Sequence, residues 1–462
     1  MLVLLYVLDC LRPDMLGCYG SELGATPTLD QLAEDSVLYQ DAYANSSWSF
    51  PSLVSMLTSQ YPRTLKAQRE LSVIPPYAAQ LPELLSQAGF TTVGISASSW
   101  FAPEFGVRGF DRYYPVYQET ELIEELGRMP AVPADRSKGA TSVMAHSEDL
   151  NRHAVQALQN DHEKDRDLFL MVWSLDTHPP YYLRGSSSRY GNTADDFYRD
   201  GEADHQKLRS LYSDMLFYND ATLGDLLAEI KSRDLYQKSL IMVLGDHGVS
   251  FGEHGISGHG RIVYQEQIHV PLLIKYPDFE GRGSQRKERV HLADIMPTVL
   301  DCCQLDNLKQ EPEGISLHPK KNIDQERLIL CESHQRPTSP HSAAVLKGKH
   351  KYLMVEDSVP PESASWRKKF KHSLKKFLGM TSHEKVYDLS APHGENDPVE
   401  DIVVQQEMRE VYQKVLLHCQ QQRETLQGAD HAGKRKDSQT FQVDPEVKDR
   451  LKFLGYLEDD QN

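Results

Sequence analysis

The sequence predicts an α/β fold: a doubly wound, mostly parallel sheet with helices on both faces, followed by a small C-terminal antiparallel α+β subdomain. Three observations predict it. Apolar runs alternate with stretches of helical length through residues 1–305. Those runs are apolar nearly throughout, as strands covered on both faces require. Two of them, far apart in the chain, end in carboxylates: Leu2 to Leu8 is closed by Asp9, and Leu240 to Leu244 by Gly245-Asp246-His247. Strand ends along one edge of an open α/β sheet are where such folds place their ligands.

Taken in order, the runs at 2–8, 92–97, 168–175, 240–244 and 270–275 are short and apolar enough for buried strands. Helices are expected at 28–35, 51–59, 78–88, 148–160, 206–232 and 294–304. Two polar stretches, 115–147 and 183–205, interrupt the alternation. The second is rich in Ser, Gly, Asn and Asp and reads as a surface loop over the active edge. Residues 306–325 form a Pro-, Lys- and Glu-rich connector, so the larger α/β unit spans 1–305 and the C-terminal subdomain 326–462. In the latter, Leu328–Cys331, Ala343–Val345, Tyr352–Val355 and Val386–Leu389 are short and strand-like. A helix at 402–426 and a polar, mobile segment at 427–441 follow. There are no internal repeats.

With 50 basic and 67 acidic side chains the formal charge is −17, which excludes a general nucleic-acid binder. No apolar run reaches the roughly 20 residues of a membrane helix. The opening MLVLLYVLD is too short for a signal segment and ends in a charge, so the chain as it stands is expected to be cytoplasmic, or periplasmic or secreted if a leader was removed. Cys10, Cys18, Cys302, Cys303, Cys331 and Cys419 form no CxxC pair and are expected to be reduced and mostly buried.

Chemistry concentrates in three places. Asp246 and His247, with Asp9, offer oxygen and nitrogen donors suited to a divalent cation. Ser49, in Ser46-Ser47-Trp48-Ser49-Phe50-Pro51-Ser52-Leu53, falls where the chain enters a helix, with Pro51 suiting the first turn. A hydroxyl there faces unpaired backbone N–H groups and the positive dipole end, a good place to attack an anionic tetrahedral group. By itself the segment fits a plain helix cap better. Asp176 fits structural hydrogen bonding better than a second metal. Arg12 and Asp14 are placed to pair with each other, His254 reads as a turn residue, and Asp294 as a helix cap.

The segments VLDCLRPDMLGCYG (8–20 with Val7), ATPTLDQLAEDSVLYQDAYA (25–44), SFPSLVSMLTSQYPR (49–63), GDHGVSFGEHG (245–255) and GHGRIVYQEQIHVPLLIKYP (258–277) together resemble the sulfatase family of the alkaline phosphatase superfamily. LKGKHKYLM (346–354), KVYDLSAPHGEND (385–397) and DRLKFLGYLED (449–459) are similar to sulfatase C-termini. The resemblance implies that Asp9, Asp246, His247 and Ser49 hold one divalent metal (calcium, zinc or manganese), with Ser49 as nucleophile. It implies that His178, in SLDTHPPY, and His259, in GHG, contact the transferred group. Both histidines suit donation to an oxyanion or to the leaving oxygen.

Three departures shape the expected chemistry. Cys10 replaces the second of two adjacent Asp residues. Leu53 replaces the Arg of C/S-x-P-x-R, which argues against formylglycine at Ser49 and for a plain serine. Ser59 follows Thr58 where Gly is usual. The remaining donors are similar to those of phosphoethanolamine and lipoteichoic-acid transferases. The leading expectation is therefore a metal-dependent hydrolase of sulfate or phosphate esters, acting on a small-molecule, glycan or lipid-linked anionic ester. A phosphotransferase of that type and an inactive sulfatase-fold binding protein are the alternatives. Residues 366–378 carry six positive charges beside the apolar stripe Trp366, Phe370, Leu374, Phe377 and Leu378. That stripe fits an ordinary packed helix or peripheral contact with an anionic membrane. Oligomeric state is not legible.

Overall fold

The computed structural model describes residues 1–118, 145–162, 166–179, 181, 188–192, 205–305, 310–335, 340–356, 382–391 and 394–431. The segments expected at 366–378 and 449–459 lie outside these residues. So do most of the polar stretches 115–147 and 183–205, part of the connector, and most of 427–441.

Along the chain, β1 (Leu2–Leu8) is followed by α1 (Pro27–Glu34), β2 (Val37–Tyr43), α2 (Ser49–Thr58), α3 (Leu81–Gln87), β3 (Thr91–Ser96) and β4 (Arg112–Pro115). Next come α4 (Ser147–His162), β5 (Leu168–Ser174), α5 (His205–Ser232), β6 (Leu240–Gly245), and the two-residue strands β7 (Ser250–Phe251) and β8 (Ser257–Gly258). The segment closes with α6 (Gln265–Ile268), β9 (His269–Lys275), β10 (Gln285–Arg286), β11 (Val290–His291) and α7 (Ile295–Cys302). The C-terminal part holds β12 (Ile329–Ser333), β13 (His341–Lys347), β14 (His350–Glu356), β15 (Ser382–Asp388) and α8 (Ile402–His431).

The central sheet has the order β10-β2-β9-β6-β1-β5-β3-β4, with β11 beside β2. Among the described residues only β9 runs antiparallel to its neighbours. Two helix groups cover it: α1 and α4 pack on α5, and α2 packs with α3 and α7. β1, β5 and β6 are buried at every residue, which their continuous apolarity anticipates. The register matters most for function. Leu8 pairs with Ser174 on one side and Gly245 on the other, so the chain leaves all three strands at one level.

β2 and β4 were not evident from the sequence. Gln40 and Asp41 interrupt the apolar run of β2, and they sit at an irregularity in its pairing with β9. β4 is an edge strand whose four residues are all half-buried. The cysteines are free: Cys10, Cys331 and Cys419 are buried, and the other three are only half-buried.

The smaller sheet, β12-β13-β14-β15, is antiparallel. One face packs Val345, Tyr352 and Met354 against Val411, Tyr412, Val415 and Cys419 of α8. The other packs Ile329, Ala344 and Leu353 against Tyr43, Val263 and Ile268 of the larger part. Leu317 and Ile323, between the two sheets in sequence, join the main core.

A buried ionic knot reinforces that junction. Arg327 holds both oxygens of the fully buried Asp294 at 2.7 and 2.9 Å and donates to His291 Nε2 at 2.8 Å. Asp294 precedes α7 as expected, but its side chain accepts from the His291 and Ile315 N–H groups instead of capping that helix. Burial pushes the His291 imidazole down to about 4.

Two outcomes follow. Arg327→Ala leaves a buried carboxylate without its cation and is expected to cost about 3–5 kcal/mol in urea unfolding; a loss under about 1 kcal/mol contradicts this role. The depressed His291 pKa makes the unfolded chain bind the extra proton first. Its contribution is therefore complete above about pH 6.5 and declines by up to about 3 kcal/mol as pH falls towards 4. Unfolding curves at about pH 7.5 and about pH 5 should show a smaller acid loss in His291→Gln than in the parent.

Candidate active site

The common level of β1, β5 and β6 brings three turns together. Asp9 follows β1, Asp176-Thr177-His178 follows β5, and Asp246-His247 follows β6. The turns are tied: the Asp9 N–H donates to Ser174 O at 3.0 Å, and the Thr177 hydroxyl to Asp9 O at 2.6 Å. Gly248 closes the β6 turn, where the chain passes so near Glu266 that a Cβ would meet its carbonyl oxygen at 2.2 Å. α2 delivers Ser49 as its first residue, and no side chain caps that end. The serine is thus not the helix cap that the segment alone also allowed. Ser59, in the left-handed region at φ 54°, ends the helix; its hydroxyl donates to Ala293 O and accepts from the Gly314 N–H, which fixes a conformation glycine would adopt more cheaply.

Asp9, Ser49, Asp246 and His247 are fully buried and converge. The Ser49 hydroxyl lies 3.0 Å from Asp9 Oδ2 and 3.2 Å from His247 Nε2. Asp9 Oδ2 also accepts from Trp173 Nε1 at 3.1 Å, while Asp246 Oδ1 accepts from the N–H groups of Cys10 and His247 at 3.1 and 2.8 Å. The other two carboxylate oxygens, Asp9 Oδ1 and Asp246 Oδ2, have no hydrogen-bond partner among the described residues. Each stands 3.4 Å from His247 Nε2. His247 Nδ1 is 2.9 Å from Gly248 O, which puts its proton there and leaves the Nε2 lone pair facing the carboxylates.

This donor set fits a divalent cation. Two orphaned buried carboxylate oxygens, an imidazole lone pair and a hydroxyl face one point, and without positive charge two buried carboxylates repel. Burial first, and then the Asp9 charge, push the Asp246 carboxyl well above the ordinary carboxylate range. Burial lowers His247 below its usual value, so it stays neutral as a ligand must. Burial, then the two carboxylates, likewise raise the Cys10 thiol.

His178 and His259 stand beside this group. Their Nε2 atoms are 3.0 Å apart, and the His259 ring stacks on His247 at 4.6 Å. Burial lowers both pKa values, and His259 falls furthest because His247, His178 and Arg261 crowd it. Gly260, at φ 80°, turns the chain after His259, and its N–H donates to Ser47 O at 2.8 Å, tying the loop to the Ser49 segment. His259 is half-buried and marks the side of the group nearest solvent.

The remaining candidates have structural partners. Asp176 is held by His146 Nδ1 at 2.8 Å, the Ser147 N–H at 3.0 Å and Asn219 Nδ2 at 2.8 Å. Arg12 pairs with Asp14, as its spacing suggests, and also with Glu253 and Val249 O. His254 sits in a tight turn, stacked on Tyr264 at 3.9 Å. Trp173, which steadies Asp9, was not singled out from the sequence because it lies inside the apolar run of β5.

A sequence model of the Sulfatase family matches residues 2–305. The chain is 25% identical over 363 residues to the ulvan-active sulfatase of Formosa agariphila, covering 71% of this chain and 67% of that protein. It is 25% identical over 337 residues to human iduronate 2-sulfatase, covering 60% of this chain and 59% of the relative. The phosphonate monoester hydrolase of Agrobacterium radiobacter shares the fold, with a TM-score of 0.68 at 19% identity over 91% of this chain and 95% of that one.

The electrostatics set a trade between stability and binding. Asp246→Asn keeps the acceptor for the Cys10 and His247 N–H groups and removes a buried charge beside Asp9. In chelator-treated protein this variant should gain about 1–4 kcal/mol at neutral pH, read as a higher Tm. It should also lose the rise in Tm that added Mn²⁺ gives the parent. A variant that is less stable without metal, or that responds to metal undiminished, contradicts the assignment.

Proposed function

The chain belongs to the sulfatase family of ester hydrolases, and from that premise we propose that it cleaves sulfate or phosphate esters through a covalent intermediate on Ser49. The observation that carries this reading is the Ser49 hydroxyl, at the first turn of α2 and within 3.2 Å of both Asp9 Oδ2 and His247 Nε2. Asp9, Asp246, His247 and Ser49 would hold one divalent cation. When bound, it supplies positive charge that lowers the hydroxyl pKa and neutralises the transferred oxygens.

The protein groups do the rest. Ser49 Oγ gives its proton to Asp9 Oδ2 and bonds to the central atom of the ester as the bond to the alcohol oxygen breaks, and that oxygen takes up a proton from solvent. Water then attacks the same atom and returns the serine. The N-terminus of α2 favours the anionic group. The adjoining His178 and His259 meet the charge on that group and on the departing oxygen.

The state of residue 49 decides the substrate class. An aldehyde hydrate can eject sulfate by elimination, whereas a serine sulfate ester has no such exit and a serine phosphate is released by water. Leu53, where the maturation motif has Arg, is fully buried in the core face of α2. A plain serine and a phosphoryl-type ester, small, glycan-borne or lipid-linked, are therefore the favoured pair. The names of the two 25% identical relatives favour sulfate as the second reading. The convergence of all four donors supports turnover over an inactive binding fold.

Intact-mass analysis of the peptide containing residue 49 is expected to show unmodified serine, with a phosphoserine adduct after brief exposure to p-nitrophenyl phosphate. Ser49→Ala should lower turnover of that substrate by about 10⁴-fold. An aldehyde at residue 49 with turnover of p-nitrophenyl sulfate alone would replace the phosphoryl reading with the sulfate one. A fully active Ser49→Ala ends both.

A further inference from the structure

We propose that Cys10, His178 and His259 hold a second cation, of the zinc class, beside the one assigned to Asp9, Ser49, Asp246 and His247. The inference deepens the proposed function and rests on its first metal site. The three residues come from three separate turns, after β1, after β5 and in the loop following β8. Yet one ligand atom from each lies within 4.8 Å of the others. The two Nε2 atoms are 3.0 Å apart. Two imidazole nitrogens sharing one tetrahedral zinc at about 2.0–2.1 Å are separated by about 3.3 Å, and a thiolate and an imidazole by about 3.6 Å. Small side-chain adjustments therefore bring all three onto one ion.

Cys10 is held for this geometry. It sits in the left-handed region at φ 64°, which side chains with a Cβ seldom adopt. Its N–H donates to Asp246 Oδ1 at 3.1 Å, and its carbonyl accepts from the Tyr212 hydroxyl at 3.1 Å. The backbone that fixes the thiol thus leans on a ligand of the first site. The thiol itself lies 3.7 Å from His247 Nδ1, and His259 stacks on the same His247 ring. The two donor sets share a wall and differ in kind. The first is rich in carboxylate oxygen; the second, one sulfur and two nitrogens, is the softer set that selects zinc.

Position 10 is therefore not simply a lost carboxylate. It exchanges a ligand of the first site for a ligand of a neighbouring one. Two cations flanking a nucleophile clamp both the entering and the leaving oxygens of a phosphate ester, which narrows the substrate class to phosphate mono- or diesters. His178 and His259 would then act on the leaving oxygen through a cation rather than by giving a proton.

The test uses the full chain, stripped with chelator, reloaded with zinc and desalted, with metal measured against protein by plasma mass spectrometry. Two equivalents are expected in the parent. One is expected in Cys10→Ser and in His259→Gln, the latter altering a half-buried residue and so guarding against a folding defect. Reloading with cobalt should give a thiolate-to-cobalt charge-transfer band that Cys10→Ser abolishes and Asp246→Asn retains. One equivalent in the parent without that band, or two equivalents in Cys10→Ser, would overturn the second site. If the band is present but Asp246→Asn loses no equivalent, the first site fails and the second stands without it.

Discussion

Two buried carboxylates at the ends of adjacent strands are the constraint on which the rest of this structure depends. Asp9 and Asp246 each keep one oxygen satisfied by protein donors and turn the other, without a partner among the described residues, towards His247 Nε2. Like charges removed from water cannot stand there together unless one takes a proton or a cation lies between them. The register of β1 with β5 and β6 imposes this arrangement, because it ends all three strands at one level.

The scaffold is built to tolerate that cost. Three consecutively paired strands with fully buried faces give a rigid edge, and the helix groups on the sheet keep water from its interior. The proposed nucleophile is carried on a helix whose every residue is buried, so Ser49 has little freedom to leave the carboxylates. Donors around the site fix orientation as much as charge. Trp173 and Ser49 hold Asp9, Gly248 O sets the His247 proton, and Ser47 O anchors the His259 loop. The smaller sheet completes the body through apolar packing, the Arg327–Asp294 pair and hydrogen bonds between β12 and Asn45 and Ser46, in the segment that leads to Ser49.

Much of this was legible in the sequence because the signals were physical. Continuous apolar runs named the buried strands, and carboxylates closing two of them marked the edge where the candidate site lies. What was not legible is equally instructive. β2 escaped notice because Gln40 and Asp41 interrupt its apolarity where pairing with β9 is irregular. Trp173 is indistinguishable in sequence from its apolar neighbours in β5, and only the register shows that its indole N–H meets Asp9. Cys10 read as a missing ligand, since no sequence pattern links it to two histidines more than 160 positions away. Asp294 read as a cap, although Arg327, the side chain it serves, lies in the next sheet's approach.

The central claim is that one cation belongs between Asp9, Asp246, His247 and Ser49. Anomalous-difference diffraction from crystals soaked in Mn²⁺ locates such an ion without reference to activity. The account predicts a peak about 2.0–2.2 Å from Asp9 Oδ1, Asp246 Oδ2 and His247 Nε2. A saturated soak with no peak among those atoms would contradict it.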